Sequence, residues 1–247
     1  MIKKNCGEFL KDLFFPKFCL GCQKEETFLC NDCRELLEIG EFDYCLCNKP
    51  LRIFPDQKNG KCKSCQIKKL SGLYFAVSYK NVLAKRLIRQ FKYEPYLKDL
   101  KSTLAGILIE HFVKTQKNTD EIWENSILIP VPTDNKKLKI RGYNQSEELA
   151  KELSKTLKVP VASDILIKIK KTAPQMELSK QEREKNLLDA FSINKKFAVS
   201  DTANFCGKKV FLVDDVYTTG STMEECAKIL KEAGAKQVWG IAFAREE

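Results

Sequence analysis

The spacing of the cysteines constrains the fold of this chain more than any other feature of its sequence. Eight of the eleven cysteines lie in four close pairs between residues 19 and 65. The N-terminal residues lack the apolar run and cleavage site of a signal peptide, and disulfides are rare in reducing compartments. We therefore interpret the pairs as metal ligands rather than as a disulfide framework.

The four pairs divide into two sets. The first set reads C-x₂-C-x₇-C-x₂-C, which is typical of a short zinc ribbon or knuckle, and the second reads C-x-C-x₁₄-C-x₂-C. They could form one site, two sites or an interleaved arrangement, with buried free thiols as the alternative to metal binding. Four thiolates leave no open position for a substrate, so we expect any zinc to be structural. The predicted ligands are Cys19, Cys22, Cys30, Cys33, Cys45, Cys47, Cys62 and Cys65.

From about residue 73 the sequence alternates between apolar strands and amphipathic helices. This alternation predicts an α/β fold with a parallel sheet flanked by helices and joined by right-handed crossovers. The strands are predicted at 72–79, 126–132, 208–216 and 236–244, and the helices at 81–93, 97–114, 144–157 and 221–234.

Composition divides the chain into two regions. We predict a small cysteine-rich zinc-binding module at 1–70 and an α/β domain at 71–247. No stretch approaches 18 uncharged apolar residues, so we expect no membrane insertion and a cytoplasmic location. The single histidine, His111, lies in an amphipathic helix and is expected to be a partly exposed structural residue. With one histidine, the chain has little scope for a catalytic triad.

The stretch V-F-L-V-D-D-V-Y-T-T-G-S-T at 210–222 carries the clearest functional signal. An apolar strand ends on Asp214 and Asp215, and parallel sheets bind ligands beyond the carboxyl ends of their strands. The two carboxylates can accept hydrogen bonds from vicinal sugar hydroxyls. The T-T-G-S-T loop can surround a phosphate, with Gly220 permitting close approach and a helix N-terminus near Ser221 adding positive potential. This pattern predicts a sugar 5-phosphate site, whereas simple helix capping would need only one of these residues.

Basic residues suggest a second kind of ligand. The formal net charge is +10, which suits a polyanionic or phosphate-bearing partner. One cluster lies on the helix at 81–93, a second lies in an expected loop beside Tyr143, and a third (Lys168, Lys170, Lys171) precedes an expected mobile loop at 172–178. Together they fit a single-strand-binding groove, although solvated faces are an equal alternative. The candidate nucleic-acid contacts are Lys85, Arg86, Arg89, Lys92, Lys137, Lys139 and Arg141.

Several motifs together resemble a known family. The 210–222 stretch resembles the phosphoribosyl-pyrophosphate-binding motif of type I phosphoribosyltransferases. The whole chain is similar to the ComF family, whose members join an N-terminal cysteine zinc finger to such a domain. The narrower resemblance is carried by the early C-x₂-C pairs, I-R-Q-F-K-Y at 88–93, P-V-P with R-G-Y-N-Q-S within 130–146, and T-A-P-Q-M-E-L-S-K-Q-E-R-E-K-N-L-L-D-A-F at 172–191.

The resemblance implies a type I phosphoribosyltransferase fold and a set of ligand contacts. Asp214 and Asp215 would bind the ribose hydroxyls, Thr218 to Thr222 would bind the 5-phosphate, and Mg²⁺ would bridge the pyrophosphate. The full predicted ligand-binding set is Asp214, Asp215, Val216, Tyr217, Thr218, Thr219, Gly220, Ser221 and Thr222.

Two functions follow from the resemblance. In the first, the protein handles single-stranded DNA during natural transformation, with phosphoribosyl pyrophosphate or another sugar phosphate as ligand and competence helicase or DNA-processing proteins as partners. In the second, it is an active phosphoribosyltransferase that moves ribose 5-phosphate to a base or an amine. No catalytic residue is predicted in either case.

Overall fold

The computed structural model describes residues 16–53, 61–117, 119–170, 189–197 and 205–246. The strands in these ranges are β1 (Asp43–Tyr44), β2 (Arg52–Ile53), β3 (Gly72–Ser78), β4 (Ser126–Pro130), β5 (Leu166–Lys168), β6 (Phe191–Ile193), β7 (Lys209–Tyr217) and β8 (Gln237–Arg245). The α-helices are α1 (Asn31–Glu35), α2 (Val82–Lys92), α3 (Leu100–Lys114), α4 (Asp120–Trp123), α5 (Asn135–Arg141), α6 (Gln145–Leu157) and α7 (Ser221–Glu232). Lys171 and the loop expected at 172–178 lie outside the described residues.

The centre of the molecule is a four-stranded parallel sheet. Its strand order is β3-β8-β7-β4, and every neighbouring pair is parallel. The strands are apolar on both faces, as expected for a parallel sheet covered on both sides. Helices α2, α3 and α6 pack on one face, and α7 with the antiparallel β5–β6 pair packs on the other. The predicted parallel α/β fold is confirmed.

Side-chain caps determine where two of the predicted helices begin. The Asn81 side chain accepts hydrogen bonds from the backbone N–H groups of Leu83 and Ala84, both at 3.0 Å, at the start of α2. Asn144 accepts from the N–H of Ser146 at 3.1 Å at the start of α6. Asn144 is therefore the cap of α6.

Two local predictions are wrong. The segment expected to be a loop around Lys136, Lys137 and Lys139 forms α5, which Asp134 caps and Gly142 ends with φ 80°. The helix has no buried residue, so it lacks the apolar periodicity from which helices are predicted. His111 is buried rather than partly exposed, because its Nδ1 lies 2.7 Å from the carbonyl oxygen of Gly40 beneath the cysteine-rich region.

The cysteine-rich region packs directly on the α/β domain. Arg34 donates to the Glu110 carboxylate at 2.7 Å and to the Gly106 carbonyl at 3.1 Å, both on α3. Asn81 donates to the Leu36 carbonyl at 2.7 Å. Apolar residues of the region belong to the hydrophobic clusters on both faces of the sheet. Among the described residues, no helix is both long and apolar enough to cross a membrane.

Candidate functional site

The eight paired cysteines form two separate clusters. The Sγ atoms of each cluster lie within 4.8 Å of one another, and the two sets do not interleave. Individual Sγ–Sγ distances include 3.7 Å for Cys19 and Cys30 and 3.6 Å for Cys62 and Cys65. A tetrahedron with Zn–S bonds of about 2.3 Å requires a separation of about 3.8 Å, so both clusters could hold a zinc-like ion. The first cluster is Cys19, Cys22, Cys30 and Cys33, and the second is Cys45, Cys47, Cys62 and Cys65.

Local backbone geometry supports sulfur ligation. A Cβ on Gly21 would lie 2.4 Å from the Cys33 sulfur, so glycine is required in the first turn. In the second cluster, the backbone N–H of Leu51 donates to the Cys45 sulfur at 3.1 Å. A hydrogen bond from the Cys47 thiol is the main cause that lowers the pKa of Cys62 to about 6. Burial and the same hydrogen bond raise the pKa of Cys47, so of this pair it is Cys62 that is favoured in the thiolate form that binds metal.

The two aspartates lie near the carboxyl end of β7, where three elements converge. The Lys92 Nζ, at the end of α2, lies 2.8 Å from Asp215 Oδ1. Asp214 Oδ1 accepts hydrogen bonds from Ser146 Oγ, in the first turn of α6, and from the backbone N–H of Asp215, both at 2.9 Å. Asp215 is buried and Asp214 is half-buried.

Burial and neighbouring charges shift the pKa values of the groups at this point. Burial, followed by the charge of Asp215, raises the pKa of Asp214 to about 7, although Lys92 and Ser146 act in the opposite direction. Burial alone would lower the pKa of Lys92, but the charges of Asp215 and Asp214 outweigh it and raise that pKa. Lys92 contacts Asp215, and Arg141 adds a second positive charge near that carboxylate. A hydroxyl donor or a cation beside Asp214 would stabilise its ionised form. Carboxylate oxygens are the ligands that Mg²⁺ prefers, so Asp214 and Asp215 could hold that ion.

The loop after β7 leads directly into α7. Gly220 has φ 80°, and a Cβ there would lie 2.2 Å from the Tyr217 hydroxyl oxygen, so glycine is required on both grounds. Thr219 Oγ1 and Ser221 Oγ lie 2.8 Å apart. Gly220 is the N-cap of this twelve-residue helix and provides no side-chain cap, while the N–H of Ser221 donates to Thr219 Oγ1 at 3.4 Å. The helix N-terminus adds positive potential at the loop, which favours an anion there.

Comparison with known proteins places this geometry in a family. Residues 144–245 match the phosphoribosyl transferase domain family. Competence protein F of Haemophilus influenzae is 34% identical over 238 residues, which cover 94% of this chain and 99% of that protein. This chain belongs to the competence protein F family. The resemblance inferred from the cysteine pairs and the 210–222 motif is therefore confirmed, as is the phosphoribosyltransferase fold.

Other known proteins are also similar to this competence protein F family member. Competence protein ComFC of Streptococcus pneumoniae is 26% identical over 245 residues, which cover 97% of this chain and 98% of that protein. The DNA utilization protein YhgH of Escherichia coli K12 is 32% identical over 155 residues, with 62% of this chain and 64% of that protein covered. Among solved structures, the allosteric regulatory enzyme of purine biosynthesis matches with a TM-score of 0.34 and 22% identity, covering 59% of this chain and 24% of that chain.

In this family member, the nine predicted ligand residues divide into two groups. Asp214, Asp215 and the residues from 218 to 222 lie at the carboxyl end of β7 and the start of α7. Val216 packs against the hydrophobic cluster on one face of the sheet, and Tyr217 is buried in the cluster on the other. The side chains of Val216 and Tyr217 therefore support the loop from the core, and a direct ligand contact would involve their backbone.

The predicted nucleic-acid contacts also separate. Lys85 and Arg89 are exposed on α2, while Arg86 donates to the Leu20 carbonyl at 2.5 Å. Lys92, which the sequence also predicts as a nucleic-acid contact, pairs with Asp215. Its role in nucleic-acid binding stays a prediction, but much of its charge is already neutralised within the protein.

The basic residues on α5 show the same division. Lys137 and Lys139 are exposed, whereas Arg141 at the C-terminal end is half-buried. Burial lowers the pKa of Arg141 below its usual value, and the nearby charge of Asp215 offsets only part of that shift. The C-terminal ends of α2 and α5 thus approach the same acidic site.

Two members of the site could not be assigned to it from the sequence. Ser146 follows R-G-Y-N-Q and lies at the start of the helix that comes after the P-V-P strand end. This position, at the edge of the sheet where ligands bind, was the sequence signal that could have assigned Ser146 to the site. Lys92 carried no such signal, because its helical spacing grouped it with exposed basic residues.

Proposed function

We propose that this member of the competence protein F family binds the ribose 5-phosphate group of phosphoribosyl pyrophosphate, or of another sugar phosphate, and handles single-stranded DNA during DNA uptake. The supporting observation is that Lys92 and Ser146 contact the Asp214–Asp215 pair, at the strand end from which residues 218–222 lead into α7. We place its action in the cytoplasm, with competence helicase or DNA-processing proteins as protein partners.

The proposed sugar-phosphate contacts follow from the chemistry of each group. Asp214 and Asp215 accept hydrogen bonds from the ribose hydroxyls, and the N–H groups at the start of α7, with the hydroxyls of Thr219 and Ser221, donate to the 5-phosphate. Mg²⁺ bound with the ligand would neutralise pyrophosphate charge beside the two carboxylates. Because Lys92 already contacts Asp215, it must shift or share that carboxylate when the ligand binds.

The two helices that carry the proposed DNA contacts end near this site. The exposed residues Lys85 and Arg89 lie on α2, and Lys137 and Lys139 lie on α5, and both helices end near Asp215. The relatives named for competence and for DNA utilization support the same role. A strand that follows the two helices would bring its phosphates toward the sugar-phosphate site, so the two ligands should compete.

A competition titration tests this function. Fluorescent single-stranded DNA is bound to the full chain, and phosphoribosyl pyrophosphate with Mg²⁺ is then added while anisotropy is recorded. We expect displacement of the DNA, and a steep loss of DNA affinity between about 50 and 200 mM salt because phosphate contacts release counterions. DNA affinity that is independent of salt would contradict the DNA role, and undiminished DNA binding in saturating ligand would contradict a shared surface.

The match to the phosphoribosyl transferase domain family favours one second candidate, an active transferase. Positioning of the donor and metal-assisted departure of pyrophosphate would then supply the catalysis. Pyrophosphate release from the donor in the presence of mixed bases and amines tests it, with Asp214→Asn as the control. Release that is absent, or equal in the variant, would contradict transferase activity at this site.

A further inference from the structure

Arg245 connects the second cysteine cluster to the central sheet. It is the last residue of β8 and is 1% exposed. Its Nη1 donates to the carbonyl oxygen of Cys45 at 2.7 Å, and its Nη2 donates to the carbonyl oxygen of Cys47. Both carbonyls belong to residues of the second cluster. The guanidinium can therefore hold both only while the C-L-C turn keeps the geometry of the cluster.

The same guanidinium contacts the strand that leads into the sugar-phosphate site. Arg245 lies beside Tyr217 in the parallel register of β8 and β7, and its guanidinium carbon lies 5.5 Å from the centre of the Tyr217 ring. The Tyr217 ring in turn lies so close to Gly220 that a Cβ there would overlap it. The position of Arg245 thus limits where the Tyr217 ring, and with it the loop at Gly220, can lie.

A second connection reaches the same loop. The backbone N–H of Lys69, shortly after Cys65, donates to the Glu224 carboxylate at 2.6 Å, and the N–H of Glu224 donates to the Gly220 carbonyl at 2.8 Å. Cys45 and Cys65 share a hydrophobic cluster with Tyr217. The first cysteine cluster differs, because its buried members pack with α2 and α3 on the opposite face of the sheet.

We propose that Arg245 is a positioning residue through which a metal ion in the second cysteine cluster orders the loop at 218–222 and sets its affinity for a sugar phosphate. The identity of the ligand rests on the proposed function, whereas the chain of contacts from Cys45 and Cys47 to Gly220 does not. Coupling of this kind is reciprocal, so the ligand would tighten metal binding by the same factor.

Calorimetric titration of the zinc-loaded full chain with phosphoribosyl pyrophosphate and Mg²⁺ tests the coupling. Arg245→Lys keeps the charge but loses the two-carbonyl geometry, so we expect its ligand affinity to fall about fivefold or more. Arg34→Lys is the matched control, because Arg34 also joins the cysteine-rich region to the domain, on the face of the first cluster. Its affinity should equal that of the wild type. Equal affinity in Arg245→Lys would overturn the proposal and leave the proposed function intact.

Hydrogen–deuterium exchange provides a test that does not depend on the ligand. Loss of metal from the second cluster, by Cys47→Ser, should speed amide exchange at residues 218–224 more than loss of metal from the first cluster, by Cys22→Ser. If the wild type binds no phosphoribosyl pyrophosphate but this exchange still rises, the proposed function fails and the coupling stands. Unchanged exchange overturns the coupling. If Arg245→Lys does not fold, exchange of the wild type with and without zinc decides the question.

Discussion

The ammonium of Lys92 lies 2.8 Å from the Asp215 carboxylate, where α2 ends beside the carboxyl end of β7. This pair connects the helix that carries the exposed Lys85 and Arg89 to the acidic site. Asp214 lies beside this pair, and burial with the charge of Asp215 raises its pKa to about 7, so a ligand or cation that stabilises the ionised carboxylate would be favoured there. Several consequences can be measured.

Removing the Lys92 charge should destabilise the protein. Lys92→Met leaves Asp215 buried without its counter-ion, and we expect the free energy of unfolding to fall by about 3 kcal/mol. Urea denaturation measures this change. Lys85→Ala, on the same helix but exposed, should change stability by less than about 0.5 kcal/mol. The double variant Lys92→Met with Asp215→Asn should recover part of the loss, and failure to recover any would argue against the pair as the cause.

Two glycines with the same backbone conformation should respond differently to substitution. Gly142 and Gly220 both have φ 80°, but a Cβ on Gly142 meets nothing within 4 Å, whereas one on Gly220 would overlap the Tyr217 ring. Gly142→Ala should therefore cost about 1–2 kcal/mol from the left-handed backbone alone. Gly220→Ala should cost roughly 1–3 kcal/mol more from overpacking, and it should also abolish sugar-phosphate binding. Equal unfolding free energies for the two variants would refute the contact with Tyr217.

The raised pKa of Asp214 predicts a pH dependence of both stability and binding. Its pKa is about 7 in the folded protein, and an unfolded aspartate has a pKa of about 3.9. The folded state therefore holds this proton more tightly, and its contribution to stability is complete below about pH 4 and is lost as the pH rises to about 7. Asp214→Asn, which resembles the protonated form, should gain stability relative to the wild type between about pH 5 and about pH 8.

Binding of Mg²⁺ with the ligand should show the opposite trend. If Asp214 binds the ion or the ribose as proposed, its ionised carboxylate is needed, so wild-type affinity should increase as the pH rises through about 7, the pKa of that group. Titration calorimetry at several pH values measures this, and the increase should be absent in Asp214→Asn. A flat wild-type profile would contradict the assignment of Asp214 to the site.

The exposed and paired lysines of α2 should differ in their contribution to DNA binding. If Lys85 contacts a phosphate, Lys85→Ala should reduce the slope of log affinity against log salt by about 0.7 for single-stranded DNA. Lys92→Ala should reduce it less, because Asp215 already neutralises much of that charge. Anisotropy titrations over a range of salt concentrations give the slopes. A larger reduction of the slope in Lys92→Ala than in Lys85→Ala would indicate that Lys92 is the residue that contacts DNA.

The parallel sheet could be predicted because its strands are long apolar runs, such as the nine residues of β7 and the nine of β8, separated by amphipathic helices. Local structure that lacks apolar periodicity could not be predicted from the sequence. Helix α5 depends on the Asp134 cap and on Gly142, and β5 and β6 are three-residue strands that pair across a long intervening segment. The domain boundary at residue 70 stays a prediction.

Part of the candidate site could be predicted from the sequence, and the rest became visible only in the fold. Asp214, Asp215 and the loop could be predicted because they are contiguous in sequence and each residue type has a direct chemical reason. The separation of the eight cysteines into two clusters needed the fold, because spacing alone also allows interleaving. Lys92 was predicted as a nucleic-acid contact and not as a member of this site, because helical periodicity cannot show that the last turn of α2 meets β7.

The most direct measurement is calorimetric titration of the zinc-loaded full chain with phosphoribosyl pyrophosphate and Mg²⁺, with Asp214→Asn as the comparison. This variant keeps the shape of the side chain and leaves the Lys92–Asp215 pair in place. We predict saturable binding by the wild type and an affinity about tenfold or more weaker in the variant, because charge-assisted hydrogen bonds to the ribose are lost. No saturable binding by the wild type, or equal affinity in the two proteins, would contradict a sugar-phosphate site at the end of β7.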